Sequence, residues 1–261
     1  MNGLVSNRAT LTLQSPAPPN MAVLVTRPYP DNETTARALR ERGFAVVLAP
    51  MLRFEPLPWS EGLEADFAAV ILTSANALRA VEAELDGLRR LPLFAVGEHT
   101  ADEARRAGFA EVIAAEGDAA KLCERVRKSL KGKKKAKRLL YLAGADLARD
   151  LAGDLAVDGF EVVTRTTYRM VALSALSRET RDAFAANEVE AVLHYSQRSA
   201  RAFLEAARAG GVEISALAVP QCCISPNVAA ILREAGALRV LAAASPDENA
   251  LFGALERALR P

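Results

Sequence analysis

The feature that most constrains this chain is an alternation of short apolar runs, rich in Val, Leu and Ile, with longer amphipathic stretches. In the first half the runs are Val23-Leu24-Val25, Ala45-Val46-Val47-Leu48, Ala69-Val70-Ile71-Leu72, Leu93-Phe94-Ala95-Val96 and Val112-Ile113. In the second half they are Leu139-Leu140-Tyr141-Leu142, Glu161-Val162-Val163, Ala191-Val192-Leu193, Cys222-Cys223-Ile224 and Val240-Leu241. A strand that is apolar at every position, not every second one, is buried on both faces, so the runs predict parallel strands covered by helices. The chain therefore reads as α/β.

The two halves repeat one another. Val23 matches Leu139, and Gly43-Phe44 matches Gly159-Phe160, at an offset of 116. Ser74 and Arg79 match Ser196 and Arg201 at 122, and Gly108 and Val112 match Gly236 and Val240 at 128, so small insertions shift the register. A repeat of this length is far beyond the roughly 20 to 50 residues of solenoid units, and it predicts two similar doubly wound parallel-sheet domains. A length of 261 residues suits two domains. Residues 1 to 20, with Pro16, Pro18 and Pro19 and no apolar core, read as a disordered N-terminal extension. Lys131 to Arg138 reads as a solvated connection.

In doubly wound sheets ligands collect at the carboxyl ends of the strands, where loops lead into helix N-termini. In the first half these junctions are Thr26-Arg27-Pro28, Thr73-Ser74-Ala75-Asn76 and Gly97-Glu98-His99-Thr100. In the second they are Gly144-Ala145-Asp146, Ser196-Gln197-Arg198-Ser199 and Ser225-Pro226-Asn227. Ser, Thr and Asn here are expected to cap the following helices, whose free N–H groups and partial positive charge receive carboxylates or phosphates. Any one junction is equally a plain helix cap; the argument rests on six together. The candidate binding residues are Thr73, Ser74, Asn76, Gly97, Thr100, Gly144, Ser196, Ser199 and Asn227, joined by the nearby cations Arg27, Arg149 and Arg198.

Net charge is +1, so no global field draws nucleic acid, and an anion has to be held by local donors. No uninterrupted apolar stretch approaches the roughly 18 residues that span a bilayer. Neither a dinucleotide glycine fingerprint nor a phosphate loop occurs, so no nucleotide cofactor is expected. His99 and His194 are the only histidines, too few for a metal centre or a triad. Cys222 and Cys223 sit in an apolar run and read as core, and three cysteines without a paired framework fit a reducing cytoplasm. Two rivals stay open on the residues alone: a two-lobed binding protein for a small anion, and a nucleotide-dependent transferase on twin α/β domains.

The order Thr26-Arg27-Pro28, Ile71-Leu72-Thr73-Ser74-Ala75-Asn76-Ala77, Ala95-Val96-Gly97 with Thr100-Ala101, Thr167-Tyr168, Tyr195-Ser196 and Ala244-Ser245-Pro246 resembles the uroporphyrinogen-III synthase family over residues 22 to 259. Two places depart from the family pattern. Ser225-Pro226-Asn227-Val228 stands where a glycine-threonine junction is usual, and His194-Tyr195-Ser196 where Phe-Thr-Ser is usual. The resemblance implies a cofactor-free, cytoplasmic, monomeric enzyme that closes hydroxymethylbilane into uroporphyrinogen III, with loss of water and inversion of ring D. It also implies that domain 1 is discontinuous, residues 21–52 plus 171–261, and that domain 2, residues 53–170, is inserted. The domains would be joined by a two-stranded antiparallel hinge from Pro50-Met51-Leu52-Arg53-Phe54 and Thr166-Thr167-Tyr168-Arg169, with substrate between them. Tyr168 matches the family's tyrosine near that hinge and is the candidate general acid, with a packing role as its alternative.

Overall fold

The computed structural model describes residues 21–60, 66–131 and 138–260. The expected N-terminal extension and residues 132–137 of the lysine-rich connection lie outside the described residues. Strands are β1 (Ala22–Val25), β2 (Ala45–Leu48), β3 (Leu52–Pro56), β4 (Ala69–Leu72), β5 (Leu93–Val96), β6 (Val112–Ala115), β7 (Arg138–Gly144), β8 (Glu161–Ala172), β9 (Val189–His194), β10 (Gln221–Cys223) and β11 (Val240–Ala242). Helices are α1 (Asp31–Glu41), α2 (Ala75–Val81), α3 (Gly97–Arg106), α4 (Ala119–Leu130), α5 (Leu151–Ala156), α6 (Arg178–Ala185), α7 (Gln197–Ala209), α8 (Glu213–Ala218), α9 (Pro226–Glu234) and α10 (Glu248–Leu259). Each apolar run of the sequence is a strand.

The chain divides into two compact units, one ending at Met51 and resuming at Leu173, the other Leu52–Ala172. In the first, a five-stranded sheet runs β11-β10-β9-β1-β2, parallel throughout. Its strands send alternate side chains to opposite faces, as the two-residue period demands. Leu24 and Val192 pack with Phe184 of α6 and Phe203 of α7. Val23, Val25 and Leu193 pack with Leu39 of α1 and with Leu251, Phe252 and Leu255 of α10. α7 buries Ser199, Ala200, Ala202, Phe203, Ala206 and Ala207, a stripe at helical spacing whose small residues bring the helix close to the sheet.

The second unit has a six-stranded sheet, β3-β8-β7-β4-β5-β6. Val70, Leu72, Leu140 and Leu142 face α2 and α3; Ile71, Phe94, Leu139 and Tyr141 face α4 and α5. β8 is the long element: the apolar pattern marks only Glu161 to Val163, yet the strand continues through Ala172. Its polar second half stays extended because β7 pairs it in parallel through Tyr168, and β3 pairs it antiparallel from Tyr168 to Ala172. Leu52 and Ala172, the first rung of the β3–β8 ladder, are also where the chain passes between units.

The sequence repeat is rearranged in space. The first two strands of each copy pair with the last three of the other, so the five parallel strands read β2-β1-β9-β10-β11 in one unit and β8-β7-β4-β5-β6 in the other. Strand for strand the two orders are equivalent under the offsets found in the sequence.

Candidate functional site

Each sheet has, inside its row of parallel strands, a place where neighbouring strands drawn from different copies of the repeat send their helices to opposite faces. In the first unit it lies between β1 and β9, because α1 covers one face and α7 the other. In the second it lies between β4 and β7, with α2 and α5 on opposite faces. The carboxyl edge at such a place is where doubly wound sheets hold ligands.

At the β1–β9 edge the buried Thr26 hydroxyl donates to the Leu193 carbonyl at 2.8 Å and ties the two strand ends together. Arg27 follows, half-buried, its guanidinium 4.9 Å over the Tyr195 ring. Its Nη1 donates to Glu248 at 3.0 Å and to Thr35 at 3.4 Å, and its Nη2 to Asp31 at 3.4 Å. Thr35 and Tyr195 donate to the same Glu248 oxygen at 2.5 and 3.1 Å. Burial, and then the Glu248 carboxylate, push the Tyr195 phenol above its ordinary range, so it stays a donor. Ser196 caps α7 by accepting from the Ser199 N–H at 3.1 Å. Ser199 is buried and its hydroxyl donates to the Ser196 carbonyl at 3.0 Å, while Arg198 lies exposed on the first turn of α7.

At the β4–β7 edge the Thr73 and Tyr141 hydroxyls share a hydrogen bond of 3.0 Å. Burial raises the Tyr141 phenol. Ser74 caps α2 by accepting from the Asn76 N–H at 3.2 Å, and Asn76 Oδ1 accepts from Arg79 at 2.6 Å. Gly144 ends β7 opposite Tyr168, next to a register shift. A Cβ at residue 144 would stand 2.7 Å from Tyr168 Cζ and 2.9 Å from its Oη, so only glycine lets the phenol lie across the strand end. The other face of Tyr168 stacks on Phe54, with centroids 5.4 Å apart. Arg149 is exposed and pairs with Asp154.

Three predicted residues sit one strand further out. Gly97 opens α3 after β5 with φ of +73°, a conformation glycine adopts freely, and Thr100 is buried on the same helix. Asn227 is exposed on α9 after β10. All thirteen predicted residues thus lie at carboxyl edges of the sheets or beside one, five in the first unit and eight in the second.

The capping expectation holds at three junctions, where Ser74, Ser196 and Ser225 accept from their helices. It fails at the other three. α1 starts only at Asp31, after Pro30, and Thr26 is spent on the strand link. α3 begins at Gly97 with no side-chain cap, and α5 begins six residues beyond Ala145, capped by Asp150. Pro30 and Val96, which carry no capping oxygen, occupy the cap positions of α1 and α3.

His194 is wholly buried, and burial depresses it to about 4, so the ring is neutral. The Gln221 amide donates to the carbonyls of Ala216 and Val219, leaving Oε1 to accept from His194 Nε2 at 2.8 Å. Burial pushes Cys222 and Cys223 up to about 12, so both are inert thiols of the core. Among the described residues no group of three or more His, Cys, Asp or Glu is placed to hold a metal ion. No described helix is long and apolar enough to cross a membrane.

Sequence reasoning missed Thr35, Tyr141 and Glu248 and left Tyr195 out of the site. Tyr195 adjoins a junction and was within reach of the pattern. Glu248 stands 221 residues from its partner Arg27, which no local pattern reveals.

Fold and edges together define a protein of two doubly wound α/β units, each with a cluster of polar side chains at its switch point. A family model described as uroporphyrinogen-III synthase HemD matches residues 33–253. The chain belongs to the uroporphyrinogen-III synthase family, enzymes of tetrapyrrole biosynthesis. The fold is similar to that of uroporphyrinogen-III synthetase from Helicobacter pylori, with a TM-score of 0.60 and 19% identity over 92% of this chain and 99% of that one. A mutant uroporphyrinogen III synthase from the extremely thermophilic bacterium Thermus thermophilus gives a TM-score of 0.55 and 18% identity, covering 92% of this chain and 98% of that one. No curated protein matches the chain in sequence.

Proposed function

We propose that this protein closes hydroxymethylbilane into uroporphyrinogen III, with loss of one water and inversion of ring D, and without a cofactor. The observation that carries the reading is the family match across residues 33–253. The site chemistry agrees with it. The bilane is a flexible chain bearing many carboxylates, and the two edges offer capped helix starts, hydroxyls and arginines suited to such groups.

The reaction needs little covalent chemistry from the protein. The C–O bond of the terminal hydroxymethyl group breaks, the oxygen leaves as water after taking a proton, and the adjacent pyrrole nitrogen lone pair stabilises the carbon cation. The ring D carbon that already carries the chain attacks that cation, and its older bond to the methylene on ring C breaks to leave a second cation stabilised by the ring C nitrogen. The free α-carbon of ring D attacks this cation and loses a proton, which restores the acid and leaves ring D turned. Tyr168 is the proposed proton donor, held between Phe54 and the bare backbone of Gly144. A phenol with a reference pKa near 10 is a modest acid, so most of the acceleration is assigned to holding the chain in one reactive shape.

The proposed carboxylate contacts are Arg27, Ser196, Arg198, Ser199 and Asn227 in the first unit. Thr73, Ser74, Asn76, Gly97, Thr100, Gly144 and Arg149 take that role in the second. The β3–β8 ladder, whose first rung marks both chain passages, is read as a hinge, and the protein as a cytoplasmic monomer that binds neither nucleic acid nor membrane. The test is to mix purified protein with freshly made hydroxymethylbilane after exhaustive dialysis against chelator. Consumption well above the spontaneous rate is expected. No acceleration would instead favour a two-lobed binding protein.

A further inference from the structure

The first unit holds a polar cluster in which a single carboxylate oxygen organises its neighbours. Glu248 Oε1 accepts from Arg27 Nη1 at 3.0 Å, from Thr35 Oγ1 at 2.5 Å and from Tyr195 Oη at 3.1 Å. Thr35 is fully buried, Tyr195 is half-buried, and Glu248 is the first residue of α10, so the acceptor is anchored by secondary structure. The Arg27 guanidinium carbon meanwhile sits 4.9 Å from the Tyr195 ring centroid.

A guanidinium has five N–H bonds in a fixed plane. Arg27 Nη1 donates to Glu248 and Thr35 and Nη2 donates to Asp31, whereas Nε has no hydrogen-bond partner among the described residues. The Nε–H lies beside one Nη2–H on one edge of the plane. That edge is the fork which binds a carboxylate through two parallel bonds.

We propose that Glu248, together with Tyr195, is a positioning residue that fixes Arg27 so that this edge meets a substrate carboxylate. The claim deepens the proposed function and rests on its assignment of Arg27 to substrate. Glu248 acts here through Arg27 and touches no substrate itself. The opposite role, a carboxylate that competes with substrate for Arg27, makes the opposite prediction, because removing the competing charge would then tighten binding.

The test is steady-state kinetics with hydroxymethylbilane on the full chain, comparing wild type with Arg27→Ala, Glu248→Ala, Glu248→Gln, Tyr195→Phe and the Arg27→Ala/Glu248→Ala double variant. Glu248→Ala is expected to raise KM about tenfold with kcat changed less than about twofold, and Glu248→Gln, which keeps an accepting oxygen, to recover most of that loss. Tyr195→Phe keeps the ring under Arg27 and removes one donor, so its KM rises about threefold, and it carries the test if Glu248→Ala does not fold. The double variant is expected to be no worse than Arg27→Ala alone, since both losses run through one guanidinium. An unchanged or lowered KM in Glu248→Ala, or additive losses in the double variant, would overturn the proposal while wild-type turnover leaves the functional reading standing. Wild type that does not consume the bilane would remove both.

Discussion

Tyr168 owes its place to two neighbours that act on opposite faces of its ring, Phe54 by stacking and Gly144 by having no side chain. Tyr168→Phe keeps both contacts and deletes only the donor. It is expected to lower kcat by about tenfold to a hundredfold, short of abolishing turnover, because positioning carries the larger share. A wild-type rate in that variant would remove the phenol from the mechanism. Gly144→Ala forces the ring to move and is expected to cost about 1–3 kcal/mol in a urea titration, with a matching loss of turnover. Tyr168 and Arg27 were legible from short motifs, since each sits in a run of residues with a recognisable order. Their supports were not: Phe54 lies 114 residues from Tyr168 in the chain, and Glu248 lies further still from Arg27. What brings them together is strand pairing and helix docking, which the local sequence does not record.

The apolar runs betrayed nearly every strand, because strands buried on both faces have no polar positions to confuse the pattern. β8 marks where that signal ends, since pairing with β7 and β3 keeps its half-exposed second half extended without apolar character. Helix starts were read less well. Serine caps α2, α7 and α9 as the pattern suggests, but α1 and α3 are preceded by Pro30 and Val96, which offer no capping oxygen. Ser196→Ala is expected to lower stability by about 1 kcal/mol, seen as a shifted urea midpoint. β9 also carries a pH response. His194 is depressed to about 4 from 6.5 in the folded state, so the unfolded chain binds its proton more readily between those values. Its contribution is therefore complete above pH 6.5 and lost as pH falls towards 4, about 3 kcal/mol in all. Urea midpoints measured across that window should fall less steeply for His194→Gln than for wild type; parallel curves would show that the histidine is not the cause.

At the scale of the molecule, the duplication is plain in the sequence but its assembly is not. Two copies in tandem suggest one domain each, whereas each sheet takes two strands from one copy and three from the other. Offsets between matching residues report common ancestry of the elements and are silent on which sheet a strand joins. The exchange still leaves each unit with a switch point, and most of the candidate side chains gather at those two places. Chemistry supplies a direct check on what they do, since free hydroxymethylbilane closes by itself without turning its last ring and yields the symmetrical isomer I. Chromatographic separation of the oxidised products, with and without the protein, reads the outcome. Predominant isomer III in the protein's presence is the expected result; isomer I alone, formed at the unassisted pace, would contradict the account.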